Sequence, residues 1–187
     1  MRIYTRKGDN GSTGLLFGGD RISKADPRTD AYGTIDEAVS ALGLARASIG
    51  TATDRTEVRL SELIIRLQRE LFVVGAELAT HTDRRDRLTD GVSRATAAMV
   101  KALEDEIDDL ETLVEQPKEF VLPGESMTGA AIDLSRTIVR RAERRCVAIA
   151  ASGGLPDSQV VAYLNRLADL LFVMSRGADG GFRPMRG

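Results

Sequence analysis

Ten residues, Arg136 to Arg145, carry five arginines and one glutamate within a stretch whose apolar spacing is helical. Residues three and four apart are neighbours on a helix, so Arg136, Arg140, Glu143 and Arg144 share one side. Guanidinium forks grip phosphate oxygens in pairs. Held this close, like charges repel unless a polyanion or acidic side chains neutralise them. The run reads as one wall of a polyphosphate site. Two alternatives stand beside it: a solvated face with a few carboxylate pairs, and a nucleic-acid helix. The last is disfavoured by the whole chain, whose 26 basic residues meet 28 acidic ones for a net charge of -2. Binding to a nucleic-acid backbone takes a broader basic footprint.

A second stretch, Thr5-Arg6-Lys7-Gly8-Asp9-Asn10-Gly11-Ser12-Thr13-Gly14, combines glycines at three-residue steps with hydroxyls and charge. Glycines let the backbone approach a ligand and present N–H groups to it. Thr5, Ser12 and Thr13 add hydroxyl donors; Arg6, Lys7 and the later Lys24 add cations. The order does not match the G-x-x-x-x-G-K-[ST] phosphate loop or the dinucleotide fingerprint, and a flexible polar arm has the same composition. Occurring together, the cationic loop and the arginine face read as two halves of one polyphosphate site.

Residues that are scarce narrow the chemistry further. His81 is the only histidine and Cys146 the only cysteine. A disulfide within the chain and a multi-cysteine metal site are therefore excluded, and Cys146 falls in the apolar pattern of its helix, as a buried small hydrophobe does. His81 follows Glu77 by four, whereas carboxylate-bridged di-iron bundles use a spacing of three. Nothing points to a histidine-based nucleophile system. Charge, positioning and a cofactor must carry whatever reaction occurs.

The elements that hold these groups are helices. Apolar residues recur at three- and four-residue steps from about Thr29 to Ser48, Thr53 to Thr80, Ser93 to Val114, Thr128 to Ala151 and Asp157 to Arg176, with Ser93 an expected N-cap. Thr82 to Gly91 is a polar connection, Pro117 breaks the third helix, and Phe120-Val121-Leu122-Pro123-Gly124 is a short apolar turn. The expected fold is all-α: one domain, an up-and-down five-helix bundle over 25–176, preceded by an extended glycine-rich loop at 1–24 and followed by a loose tail at 177–187. The 187 residues, 42% hydrophobic, suffice for one core. No apolar run reaches membrane-spanning length, the first residues lack the apolar core of a signal peptide, and a cytoplasmic location is expected.

Five segments in order resemble the PduO-type ATP:cob(I)alamin adenosyltransferases: Tyr4 to Leu15 followed by Arg21 and Lys24, Ala31-Tyr32-Gly33-Thr34-Ile35-Asp36-Glu37, Phe120 to Gly124, Ser135 to Arg144, and Tyr163 to Phe172. The resemblance implies transfer of the 5′-deoxyadenosyl group of ATP to cob(I)alamin with Mg2+, giving adenosylcobalamin and triphosphate, in a homotrimer with sites between subunits and no nucleic-acid or membrane partner. It implies that Thr5, Arg6, Lys7, Gly8, Asp9, Thr13 and Lys24 wrap ATP, that Arg140, Arg141, Glu143, Arg144 and Asn165 contact it, and that Glu143 and Asn165 orient or ligate the metal. Arg140 is implied in catalysis, Asp36 and Arg136 as a pair tying two subunits together, and Phe120 as the aromatic that displaces the lower ligand of the corrinoid. From the residues alone, Phe120 reads as a core aromatic between two helices, Asp36–Arg136 is equally an ordinary interhelical ion pair, and Asp169 is either a partner for an arginine of helix four or a solvated acid. A different class of protein, a non-catalytic ATP-binding bundle that carries or senses cobalamin, shares these features. Departures from the family pattern are Glu125, where a second glycine is frequent, Met127 nearby, the lack of a histidine between Gly129 and Leu134, and Lys7 at a usually small polar position.

Overall fold

The computed structural model describes residues 3–51, 54–115 and 117–186. Helix α1, Pro27–Ile49, starts where the Asp26 carboxylate accepts the Arg28 N–H at 2.8 Å and Pro27 presets the first turn. It ends at Gly50, whose φ of 70° suits glycine. Helix α2, Arg55–Leu78, is capped by Asp54, and α4, Met127–Ala151, by Ser126. Thr53, the expected start of the second helix, lies outside the described residues.

Two helices begin later than their apolar pattern suggests. α3 spans Ala97–Glu111, capped by Thr96, which accepts the Met99 N–H; Ser93 instead accepts the Thr89 N–H at 2.9 Å inside a turn. α5 spans Val160–Asp179, because Asp157 has a φ of 51° and cannot be a helical residue. Within the polar connection a short 3₁₀ helix, Thr82–Arg87, forms with His81 at its N-terminus accepting the Asp83 N–H.

The helices do not pack in chain order. α1 lies between α2 and α4, α4 between α1 and α5, and α5 against α3. Arg59 and Arg66 of α2 reach Glu106 of α3, closing the ring. Its interior is apolar: Ile35, Ala38 and Leu42 of α1 share one core with Val139, Ala142 and Cys146 of α4 and with the fully buried Leu67, Leu71, Leu164 and Leu171. Tyr163 is buried with its hydroxyl donating to Glu70 at 2.8 Å. No helix among the described residues is long and apolar enough to cross a membrane.

Two pairs of short strands complete the fold. β1 (Ser12–Thr13) pairs antiparallel with β2 (Ile22–Ser23), folding the N-terminal loop back on itself. β3 (Val121–Leu122) pairs with β4 (Arg183–Pro184), and the Met185 N–H donates to the Phe120 carbonyl at 2.8 Å. The expected loose tail from Gly177 is thus corrected: α5 runs on to Asp179, whose carboxylate accepts the Ser126 N–H at 2.9 Å and hydroxyl at 2.8 Å. α4 passes so close there that a Cβ on Gly129 would lie 2.0 Å from Asp179 Oδ1. The sequence reading missed this because a tail rich in glycine carries no apolar periodicity.

Two buried charged groups close the opposite end. Glu77, wholly buried, accepts from Arg85, the Ala95 N–H and the Ser158 hydroxyl, each at 2.7 Å. Arg28 donates to the carbonyls of Leu78, Thr80 and Gly154 at 2.9–3.0 Å. Burial lowers the pKa of Arg28, and Asp26 offsets part of that. Together they join α1, α2 and the loops entering α3 and α5. Removing one partner of a buried ion pair typically costs about 3–5 kcal/mol, because the remaining charge is stranded. Glu77→Ala is expected to lose stability in that range by urea denaturation; a loss below about 1 kcal/mol would show that Arg85 escapes to solvent at little cost.

Candidate functional site

The N-terminal loop is organised by Arg21. Its guanidinium donates to the Ser12 hydroxyl at 2.8 Å and to the carbonyls of Ser12 and Lys7 at 2.8 and 2.9 Å. Asn10 accepts both the N–H and the hydroxyl of Ser12, and the Lys24 N–H donates to the Gly11 carbonyl. Gly8 is closely approached: a Cβ there would lie 3.0 Å from Lys24 Nζ and 3.3 Å from the Ser12 carbonyl. Arg6 sits at a φ of 61° with its guanidinium over the Tyr4 ring. The loop docks where Leu16 donates to the Ala79 carbonyl, at the end of α2 that Arg28 and Glu77 hold. Thr5, Arg6, Lys7 and Asp9 stay exposed, while Gly8 and Thr13 are half-buried.

On α4 the arginines divide into three groups. Arg145 pairs with Asp30 of α1 at 2.6 Å and donates to the Thr34 hydroxyl, and Arg141 pairs with Glu37. With Lys24, these groups line an open cleft of about 430 Å³ between the loop, α1 and α4. Arg140 and Arg144 are exposed; Arg144 donates to the Arg140 carbonyl, and neither is paired with a carboxylate among the described residues. Beside them Asn165 of α5 donates to Glu143 at 3.1 Å, so a carboxylate and an amide oxygen lie together next to two free cations. Arg136 turns the other way, bound to Asp133 at 2.8 Å and lying over Phe172.

Arg136 and Phe172 belong to a second cleft of about 770 Å³, whose outer wall is Phe120 and Met185. Phe120 is 81% exposed. It is not a core aromatic, which removes that reading of it. Asp36 lines a different, apolar groove with Leu16, Tyr32 and Phe72 between α1 and α2. Within the chain it forms no ion pair with Arg136, so the ordinary interhelical pair is excluded. Asp169 pairs with Arg166 on its own helix at 2.7 Å and holds no arginine of α4.

The structure therefore gathers Lys24 with Arg141, and Arg140 with Glu143, Arg144 and Asn165. It keeps the outer loop residues, Asp36 and Phe120 apart from these groups. Arg21, Asp30, Thr34, Glu37 and Arg145 were missing from the expected site. Asp30 and Glu37 are seven apart, two helical turns, and that spacing was the available signal for a charged stripe facing α4. Among the described residues no three metal-ligating side chains cluster. Glu143 and Asn165 still suit magnesium, which usually takes one or two protein oxygens and completes its shell with phosphate oxygens and water.

A family model described as cobalamin adenosyltransferase matches residues 3–178. A corrinoid adenosyltransferase of Citrobacter freundii is 42% identical over 175 residues, which cover 94% of this chain and 93% of that protein. One from Bacillus subtilis strain 168 is 39% identical over 176 residues, covering 94% and 86%. Among solved structures, a variant PduO-type ATP:corrinoid adenosyltransferase from Lactobacillus reuteri, complexed with cobalamin and ATP, superposes with a TM-score of 0.86. It is 29% identical, and the match covers 100% of this chain and 97% of that one.

No cysteine nucleophile serves either cleft. Cys146 points into the core from α4, and burial pushes its thiol up from 9.0 to about 12, with Glu143 and Glu77 adding to the rise. The native protein at pH 8 is expected to resist iodoacetamide and to react in denaturant. Because the folded thiol binds its proton more tightly than the unfolded one, its contribution to stability falls as pH rises from 9 towards 12. Rapid alkylation of native protein at pH 8 would contradict the burial.

Proposed function

The chain belongs to the cobalamin adenosyltransferase family, and on that premise we propose that it transfers the 5′-deoxyadenosyl group of ATP to cob(I)alamin, giving adenosylcobalamin and triphosphate. The observation that carries this reading is the pair of unneutralised arginines, Arg140 and Arg144, flanking the Glu143–Asn165 contact on a surface whose other arginines are paired. Cob(I)alamin is itself a strong nucleophile. Its cobalt electron pair forms the bond to the 5′ carbon while the carbon–oxygen bond breaks, and that second electron pair leaves on triphosphate. No protein base is needed, which suits a chain with one histidine placed at a 3₁₀ cap. The protein supplies binding, orientation and charge.

Each residue then has a task in substrate binding. Thr5, Arg6, Lys7, Gly8, Asp9, Thr13 and Lys24 wrap the nucleotide, with Arg21 holding the loop in shape. Arg140, Arg141 and Arg144 stabilise the charge that grows on the leaving triphosphate, and Arg141 exchanges Glu37 for phosphate as it does so. Glu143 and Asn165 would hold magnesium, which would supply further charge neutralisation. Phe120 blocks the lower face of the corrinoid, and a cobalt without a lower ligand is easier to reduce. The site is completed between subunits of a homotrimer, where Asp36 of one chain meets Arg136 of another; the two residues line separate surfaces of one chain. We place the activity in the cytoplasm.

The direct test is an anaerobic assay with purified protein, MgATP and chemically reduced cob(I)alamin. Loss of the cob(I)alamin band with a light-sensitive product and equimolar triphosphate is expected. ATP binding without that product would make the protein a carrier or sensor. Arg140→Ala and Arg141→Ala are each expected to lower kcat by roughly two to three orders of magnitude, as loss of a preorganised donor does, with little change in thermal midpoint. Near-wild-type turnover would remove the role of that arginine. Phe120→Ala is expected to keep its ATP affinity, measured by calorimetry, while slowing product formation from cob(II)alamin and a reductant. An equal loss of ATP binding would mean that Phe120 shapes the nucleotide site instead.

A further inference from the structure

The rim of the Phe120 cleft carries two cations, Lys118 and Arg186. They come from distant parts of the chain, the loop before α4 and the C-terminal segment, and meet through the β3–β4 pairing. Its register sets Val121 against Pro184 and Leu122 against Arg183, and with the bond from Met185 to Phe120 it continues to place Arg186 across from Glu119. Among the described residues, neither Lys118 nor Arg186 forms an ion pair. Arg136, the other cation of the cleft, is already bound to Asp133. Among the described residues of the rim, Lys118 and Arg186 set against Glu119 leave one positive charge, beside an apolar lining of Phe120, Val121, Phe172 and Met185.

We propose that Lys118 and Arg186 bind the phosphodiester of the corrinoid's lower nucleotide, and so make this enzyme prefer complete corrinoids to those lacking the nucleotide. The inference rests on the reading of the Phe120 cleft as the corrinoid site. Cobalamin carries its benzimidazole nucleotide on a tether from the ring edge, and the tether contains a single phosphodiester charge. With an aromatic side chain beneath cobalt the base must leave the metal, but the tether keeps its phosphodiester on the same side of the ring, at the edge of the cleft. A singly charged anion there meets a rim with one positive charge to neutralise. Lysine and arginine bind phosphate oxygens through charge-assisted hydrogen bonds. The free triphosphate arginines, Arg140 and Arg144, are not among the residues lining this cleft, so the rim cations have a separate anion to serve.

The test compares cob(I)alamin with cob(I)inamide, which lacks the nucleotide and its phosphodiester, both chemically reduced and both with saturating MgATP. In Lys118→Ala/Arg186→Ala the ratio of kcat/KM for cobalamin over cobinamide is expected to fall about tenfold, equivalent to 1.4 kcal/mol of lost discrimination. Glu119→Gln removes the opposing charge and is expected to move the ratio the other way, by lowering the KM for cobalamin. An unchanged ratio in both variants overturns the proposal, as does an equal loss for the two corrinoids or a rise in KM for ATP in place of that for cobalamin. Phe120→Ala separates this failure from that of the parent reading. If it alters neither the corrinoid KM nor turnover from cob(II)alamin, the cleft is not the corrinoid site at all.

Discussion

Five guanidinium groups on ten residues of α4 repel one another, and the rest of the molecule is arranged around that charge. α1 packs on α4, both contributing small and branched side chains to one core, Ala31, Ile35 and Ala38 from α1 and Ile138, Val139 and Ala142 from α4, and burial of apolar surface joins the helices at about 25 cal/mol per Å². The acids flanking the α1 stripe, Asp30 and Glu37, then meet Arg145 and Arg141. Asp133, one turn earlier, takes Arg136. These pairs are partly exposed, and each is worth about 0–1 kcal/mol. Their larger effect is orientation. With three arginines held on the flanks, α4 has one rotation about its axis, and that rotation turns Arg140 and Arg144 outward beside Glu143 and Asn165.

The same constraint explains what could be read from the chain beforehand. Apolar periodicity marks all five helices, and it does so because each buries one stripe. The ends of the helices were less legible. Thr96 and Ser93 are both acceptable N-caps by type, and only the turn that engages Ser93 with Thr89 decides between them. Asp157 looks like a first-turn acid until its positive φ is known. The order of packing was not legible either, since α1 and α4 are far apart in sequence and their pairing rests on surface shape and on acids that looked like ordinary solvated residues.

Within the candidate site, residues that act through side-chain charge were visible and residues that act through geometry were not. Arg140, Glu143 and Arg144 could be placed on one face by counting. Arg21 could not be assigned its place, because its task is to bind two carbonyls of a loop whose turn at Gly11 has no periodic pattern. The contact between Gly129 and Asp179 is a further case: glycine in a helix normally weakens it, and here it is the only residue that lets the end of α5 reach the start of α4. Asp36 and Arg136 line separate surfaces of one chain. Their separation within the chain could not be read from the sequence, where each sits on an amphipathic helix with no signal for which surface it lines.

Phe120 makes the strongest physical case for a ligand in the second cleft. A large aromatic side chain left 81% exposed gives up burial worth about 1.5–3 kcal/mol. A loop free to relax would fold such a ring against the nearest apolar surface, and Phe172 and Met185 line the same cleft. Its backbone is fixed in place: the Phe120 carbonyl is bound by the Met185 N–H, the next two residues are paired in β3–β4, and Ser126 fastens the following turn to Asp179. The restraint comes from the C-terminal segment, the part of the chain with the least sequence pattern. An apolar side chain on a backbone fixed in this way, beside an open cleft, is stabilised once an apolar face covers it.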